Sequence, residues 1–173
     1  MLAGCDRAAP EAAQGEGALA DDKASLVGEV DRRYAGELMP AETVYLPDGR
    51  EFNLGALQGQ PVLVNLWATW CAPCKKEMPL LDALAQERKG TLRVITVSQD
   101  KQGASVVEPY FAAAKFALLE PWLDPQAKLL EHFGDGLPIS ILYDASGREV
   151  WRIEGDYDWD NASAAGVIDE GLR

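Results

Sequence analysis

Short apolar runs alternate along this chain with longer segments of mixed polarity, and Gly, Pro or Asp punctuates most of the junctions. The run Pro61-Val62-Leu63-Val64-Asn65-Leu66 is apolar at nearly every position, as a strand covered on both faces must be. Residues 72–88 read as a helix after it, and residues 92–97, short and β-branched, as a second buried parallel strand. A helix over 103–116, a short strand near 118–122 and a helix over 125–133 follow. Residues 139–143 and 149–154 read as strands joined by the turn Asp144-Ala145-Ser146-Gly147, and 161–172 as a closing helix. Nearer the amino terminus, residues 44–46 and 51–54 flank Pro47-Asp48-Gly49-Arg50 and predict a hairpin. Leu26, Val30, Tyr34 and Leu38 recur every four residues with Asp31, Arg32 and Arg33 between them, which predicts a short amphipathic helix within 25–40, docked on the domain. The sum is an α/β chain in which strands alternate with helices.

Chemistry concentrates where the first buried strand meets its helix, in Trp67-Ala68-Thr69-Trp70-Cys71-Ala72-Pro73-Cys74-Lys75-Lys76-Glu77-Met78-Pro79. A C-x-x-C pair at a helix start puts its first sulfur beside unpaired backbone N–H groups and the positive end of the dipole. Cys71 should ionise readily there and attack a disulfide. Cys74, one turn on, is placed to close an internal disulfide and release the reduced product. Pro73 presets a helical φ where an N–H is dispensable, stiffening the motif. A zinc site would need two more ligands, and the chain offers only Cys5, His132 and carboxylates. Covalent haem attachment would need His after the second cysteine, where Lys75 stands. Glu77, three residues after Cys74, shares its helix face, so it is either a proton partner for that thiol or a surface glutamate favoured in a first turn. Trp70 flanks the dithiol as a candidate substrate contact, whereas Trp67 reads as core.

The segment W-A-T-W-C-x-P-C-K-K-E-x-P resembles the active-site region of TlpA-like and ResA-like thioredoxins, membrane-tethered thiol-disulfide oxidoreductases of bacteria. Gly136-Leu137-Pro138-Ile139 is similar to the cis-proline loop of that family. The resemblance implies an α/β thioredoxin fold, a central mixed sheet flanked by helices, with an amino-terminal hairpin and a central helix-strand insertion. It implies that Cys71 attacks and Cys74 resolves, with Glu77 assisting redox proton transfer. It further implies that Trp70, Ala72, Pro73, Leu137 and Pro138 contact substrate, the backbone of Leu137 pairing with an incoming peptide as an added strand. Where cytosolic thioredoxin has a buried Asp six residues before the first cysteine, this chain has Asn65, so a proton must pass through Glu77, water or the substrate thiols.

Size and composition suit one domain: 173 residues and 47% hydrophobic content. A net charge of −12 leaves no basic stripe for nucleic acid. Leu2-Ala3-Gly4-Cys5 resembles a bacterial lipobox, with Cys5 as the lipid-bearing residue. A lipoprotein signal carries a basic and an apolar region upstream, and only Met1 precedes the motif, so the start is expected to be truncated or the signal removed. Residues 6–24, rich in Ala, Glu, Gly and Asp, read as a tether. The expected organisation is a lipobox-like tether over 1–24, a helix and linker over 25–40, and a thioredoxin-like domain over 41–173.

These readings converge on a protein disulfide reductase without a cofactor, a monomer lipid-anchored at the periplasmic face of the inner membrane. Its partners would be disulfide-containing periplasmic proteins, such as apocytochrome c or oxidase copper proteins, and a membrane thiol-electron donor. A Cu(I) metallochaperone using the same thiolates and a redox-inert adaptor stay open. His132, the single histidine, reads as a residue placed to meet a helix C-terminal dipole. Trp122, Trp151 and Trp159 carry no assignment beyond Trp159 packing the last helix on the sheet.

Overall fold

Apolar side chains on both faces of the central strands dictate two cores, one on each side of a single sheet. The computed structural model describes residues 28–173. In it β4 (Val62–Trp67) and β5 (Arg93–Ser98) run parallel, joined by α1 (Ala72–Glu87). β4 alternates as a two-faced strand should: Val62, Val64 and Leu66 enter one core, Leu63 and Trp67 the other. β7 (Ile139–Tyr143) lies antiparallel beside β4, and β8 (Glu149–Glu154) antiparallel beside β7. Beyond β5 the sheet continues through β6 (Trp122–Leu123) to the hairpin of β2 (Thr43–Tyr45) and β3 (Glu51–Asn53). With β1 (Val30–Asp31) at the far edge, the order is β1-β8-β7-β4-β5-β6-β2-β3, a thioredoxin-like mixed sheet flanked by helices.

α1, α2 (Ala104–Ala114) and α4 (Ala162–Asp169) supply Met78, Leu81, Val107 and Ile168 to the core that holds Trp67, Trp151 and Ile153. α3 (Lys128–Phe133) supplies Leu129 and Phe133 to the opposite core with Ile139, Ile141 and Tyr143. Each such fully buried side chain contributes about 1.5–3 kcal/mol. Asp82 on α1 fastens the insertion, its carboxylate accepting the amides of Ala117, Leu118 and Leu119 at 2.9–3.1 Å. Trp122 packs against Phe52 of the hairpin at 5.7 Å between ring centroids, and the Trp151 indole donates to the Val167 carbonyl, pinning α4.

The amphipathic helix expected within 25–40 is replaced, over the described residues, by a strand and turns. β1 (Val30–Asp31) pairs with β8 through Val30↔Ile153 and Asp31↔Arg152. Only Val30 of the four-residue repeat lies in a strand, where pairing with β8 outweighs the helical spacing. Gly36 at φ +92° then turns the segment, Tyr34 lies 3.6 Å from the buried Arg152 guanidinium, and Leu38 is left exposed. The sheet therefore begins before residue 41. β6 starts at Trp122, later than expected, and α3 only at Lys128, because Ala127 has a left-handed φ of +54°. Cys5, the tether over 1–24 and Leu26 lie outside the described residues.

Candidate active site

The antiparallel register Leu66↔Ile139 and Ile139↔Glu154 sends three chain segments to one end of the sheet: the exit of β4, the entry of β7 and the exit of β8. The first carries the dithiol. Thr69, between Trp67 and Cys71, is held by Asp100, whose carboxylate accepts its N–H at 2.8 Å and its hydroxyl at 2.7 Å. The Ser98 hydroxyl adds a third bond to Asp100 at 2.8 Å, so β5 fixes the loop that presents the cysteines.

Cys71 is the N-cap of α1, with Ala72 and Pro73 as its first two helical residues. Its sulfur accepts the Cys74 N–H at 3.3 Å, one of the orphan donors of a helix start. The two cysteines form a disulfide with Cα atoms 5.3 Å apart. Both are buried, Cys74 more completely, which leaves Cys71 as the outer sulfur. Trp70 beside them is 67% exposed, Ala72 is exposed and Pro73 half-buried. The Leu137-Pro138 peptide is cis. Pro138 is buried and Leu137 half-buried at the entry of β7, so the cysteines, Trp70, Leu137 and Pro138 gather at one end of the sheet.

Glu77 is buried, 2% exposed, and not the surface residue its helix position allowed. Its Oε1 accepts the Tyr157 N–H at 2.6 Å, and Oε2 lies 3.4 Å from the Asn65 side-chain nitrogen, which donates to Ser140 at 2.9 Å. Burial pushes the carboxyl from 4.5 up to about 7, against the Tyr157 hydrogen bond and with help from the Asp156 charge. The buried indole N–H of Trp159 makes no well-formed hydrogen bond but stands beside the carboxylate and favours its ionised form, and its ring packs on Tyr157 at 4.9 Å. A helix carboxylate one turn behind Cys74, ionising near neutral pH, is matched to taking and returning a thiol proton.

The Redoxin family pattern matches residues 34–168. The chain belongs to the Redoxin family. It is 31% identical over 131 residues to the thiol-disulfide oxidoreductase ResA of Bacillus thuringiensis (strain Al Hakam), 73% of each chain. It is 34% identical over 113 residues to ResA of Geobacillus thermodenitrificans (strain NG80-2), 62% of each. Two solved structures share its fold. A thiol:disulfide interchange protein from Chlorobium tepidum TLS has TM-score 0.64 at 22% identity, over 80% of this chain and 97% of that one. The exposed lipoprotein thioredoxin Etrx1 of Streptococcus pneumoniae strain TIGR4 has TM-score 0.64 at 24% identity, over 75% and 98%. This Redoxin-family chain is a thiol-disulfide oxidoreductase of the ResA type with a Cys71–Cys74 disulfide.

The sequence motifs mark the cysteines, Glu77, Leu137 and Pro138 but not Asp156 and Tyr157 as neighbours of Glu77, Gly155 as the partner of the Pro138 carbonyl, or Asp100 as the anchor of Thr69. Their signal was positional: an acidic, aromatic turn directly after the last strand, at the end of the sheet where the dithiol must lie. His132 sits elsewhere, its ring nitrogen 3.2 Å from Glu42. Among the described residues no three His, Cys, Asp or Glu side chains come together as a metal site. No helix among them is long and apolar enough to cross a membrane.

Proposed function

We propose that this Redoxin-family protein reduces disulfides of substrate proteins at the periplasmic face of a bacterial inner membrane, held there by lipid on Cys5. The observation that carries the chemistry is the pairing of an N-capping Cys71 with a buried Glu77 one turn behind Cys74. In the reduced protein the Cys71 thiolate attacks one sulfur of a substrate disulfide, forming a mixed disulfide and expelling the other sulfur as a thiolate. Glu77 takes the Cys74 proton, and the Cys74 thiolate attacks the Cys71 sulfur. The Cys71–Cys74 bond forms, the second substrate thiolate leaves, and two electrons have passed to the substrate. Leu137, at its cis bond to Pro138, offers backbone to an extended substrate, with exposed Trp70 and Ala72 and half-buried Pro73 beside it. A membrane thiol donor then reduces the disulfide. Apocytochrome c and copper-binding oxidase subunits are the substrate classes suggested by the sequence resemblance, because both need reduced cysteines before loading.

The test is the reduction potential of the Cys71–Cys74 pair, read by tryptophan fluorescence in graded thiol-disulfide buffers. A value near about −270 mV supports a reductant fed by a donor, whereas one near about −120 mV makes the protein a disulfide-forming oxidant and overturns the reading.

A further inference from the structure

Backbone groups of the turn after β8 make three hydrogen bonds in succession, two to backbone and one to a side chain, each to a different part of the protein. Gly155 N–H donates to the carbonyl of the cis-proline Pro138 at 2.9 Å. The Asp156 carbonyl accepts the N–H of Gly28 at 2.7 Å. Tyr157 N–H donates to Glu77 Oε1 at 2.6 Å. The Asp156 carbonyl and the Tyr157 N–H are the two ends of one peptide group. A donor on the carbonyl polarises that group and makes its N–H a stronger donor, so the two bonds reinforce each other.

Gly28 is built into this place. A Cβ there would overlap Ile153 Cγ2 and sit 2.9 Å from the Glu154 carbonyl oxygen, so only glycine brings its backbone this close to the end of β8. The residues after it form a strap along the sheet edge: Val30 and Asp31 pair with β8, and Arg32 makes a two-pronged ion pair with Glu170 at 2.6 and 3.0 Å. The strap thus reaches the buried carboxylate through one peptide unit.

We propose that Gly28 is a positioning residue for Glu77: its N–H, acting through the Asp156-Tyr157 peptide group, strengthens the hold on the ionised carboxylate, so that seating of the amino-terminal strap tunes proton transfer at the dithiol. The groups that face Glu77 limit what else can act on it. Cys74 stands one turn back on its own helix, and Asp156 supplies the nearby charge from the turn. β4 contributes the neutral Asn65, which also donates to Ser140 of β7, and Trp159 its indole N–H, which favours the ionised form. The consequence for turnover rests on Glu77 serving Cys74 as proposed above, whereas the relay itself does not.

The relay is read in the unaltered oxidised protein by following the amide NMR shifts of Gly28 and Tyr157 from pH 5 to 9, alongside the carboxyl carbon of Glu77. By reciprocity, Gly28 must sense the charge on Glu77. All three signals are expected to titrate with one midpoint, and both amide steps to vanish in Glu77→Gln. A flat Gly28 amide beside a titrating Tyr157 amide overturns the proposal. Gly28→Ala, which displaces the strap, is expected to lower the acid dissociation constant of Glu77 by about two- to fourfold. Arg32→Ala, which removes the strap's ion pair with Glu170 but keeps the Gly28 bond and the pairing with β8, is expected to leave it unchanged. Equal shifts in the two variants, or none in Gly28→Ala, overturn it. If Glu77→Gln leaves the pH profile of turnover unaltered while the amides co-titrate, the proton role of Glu77 fails and the relay is upheld.

Discussion

Replacing Glu77 with Gln separates the carboxyl's cost to folding from its use in chemistry. Burial holds the native carboxyl near about 7, against 4.5 for a free glutamate. Between those values the native state binds a proton that the unfolded chain has released. Stability from this group is therefore complete below the unfolded value and is lost as pH rises through the native one. From pH 5 to pH 8 the loss amounts to about 2.5 kcal/mol. Gln keeps an acceptor for the Tyr157 N–H and removes the charge, so the stability of Glu77→Gln should lack this slope. Urea unfolding of the oxidised proteins at pH 5, 6, 7 and 8 gives the difference directly, and titrations shared by both proteins cancel. The variant should gain about 2.5 kcal/mol on the parent across that range. Parallel stability curves would refute the claim that Glu77 is a buried carboxyl ionising near neutrality.

Cys74→Ser should trap a mixed disulfide between Cys71 and substrate, visible by non-reducing electrophoresis, while Cys71→Ser should form none and lose reductase activity altogether. Removing the Asp100 carboxylate, which holds Thr69 and Ser98 from a buried position, should cost about 3 kcal/mol in urea denaturation. Arg152 pairs with buried Glu149 at 2.7 Å, so Arg152→Leu should destabilise by about 3–5 kcal/mol, and by much less when Glu149→Leu accompanies it. A double variant as unstable as the single one would contradict that account.

Local features were legible in the sequence. The hairpin, β4, α1, β5, β7 and β8 each carry a pattern with one strong reading, and all are present. The strap was not, because Val30, Tyr34 and Leu38 carry a helical repeat while the chain pairs only at Val30 and Asp31 and then turns. The choice was made by partners on β8, more than a hundred residues away. Glu77 was half legible. Its spacing from Cys74 placed it on the right face, but nothing nearby in the chain said that face would be closed over by Tyr157 and Trp159.

The sequence by itself determined the dithiol, its seat at the start of α1 and the proline that begins the helix, because those depend on bonds and dipoles within a dozen contiguous residues. Only the tertiary structure decided the proton affinity behind Cys74. Desolvation is set by whatever packs over a group, and here a turn eighty residues distant supplies that cover and the Tyr157 hydrogen bond.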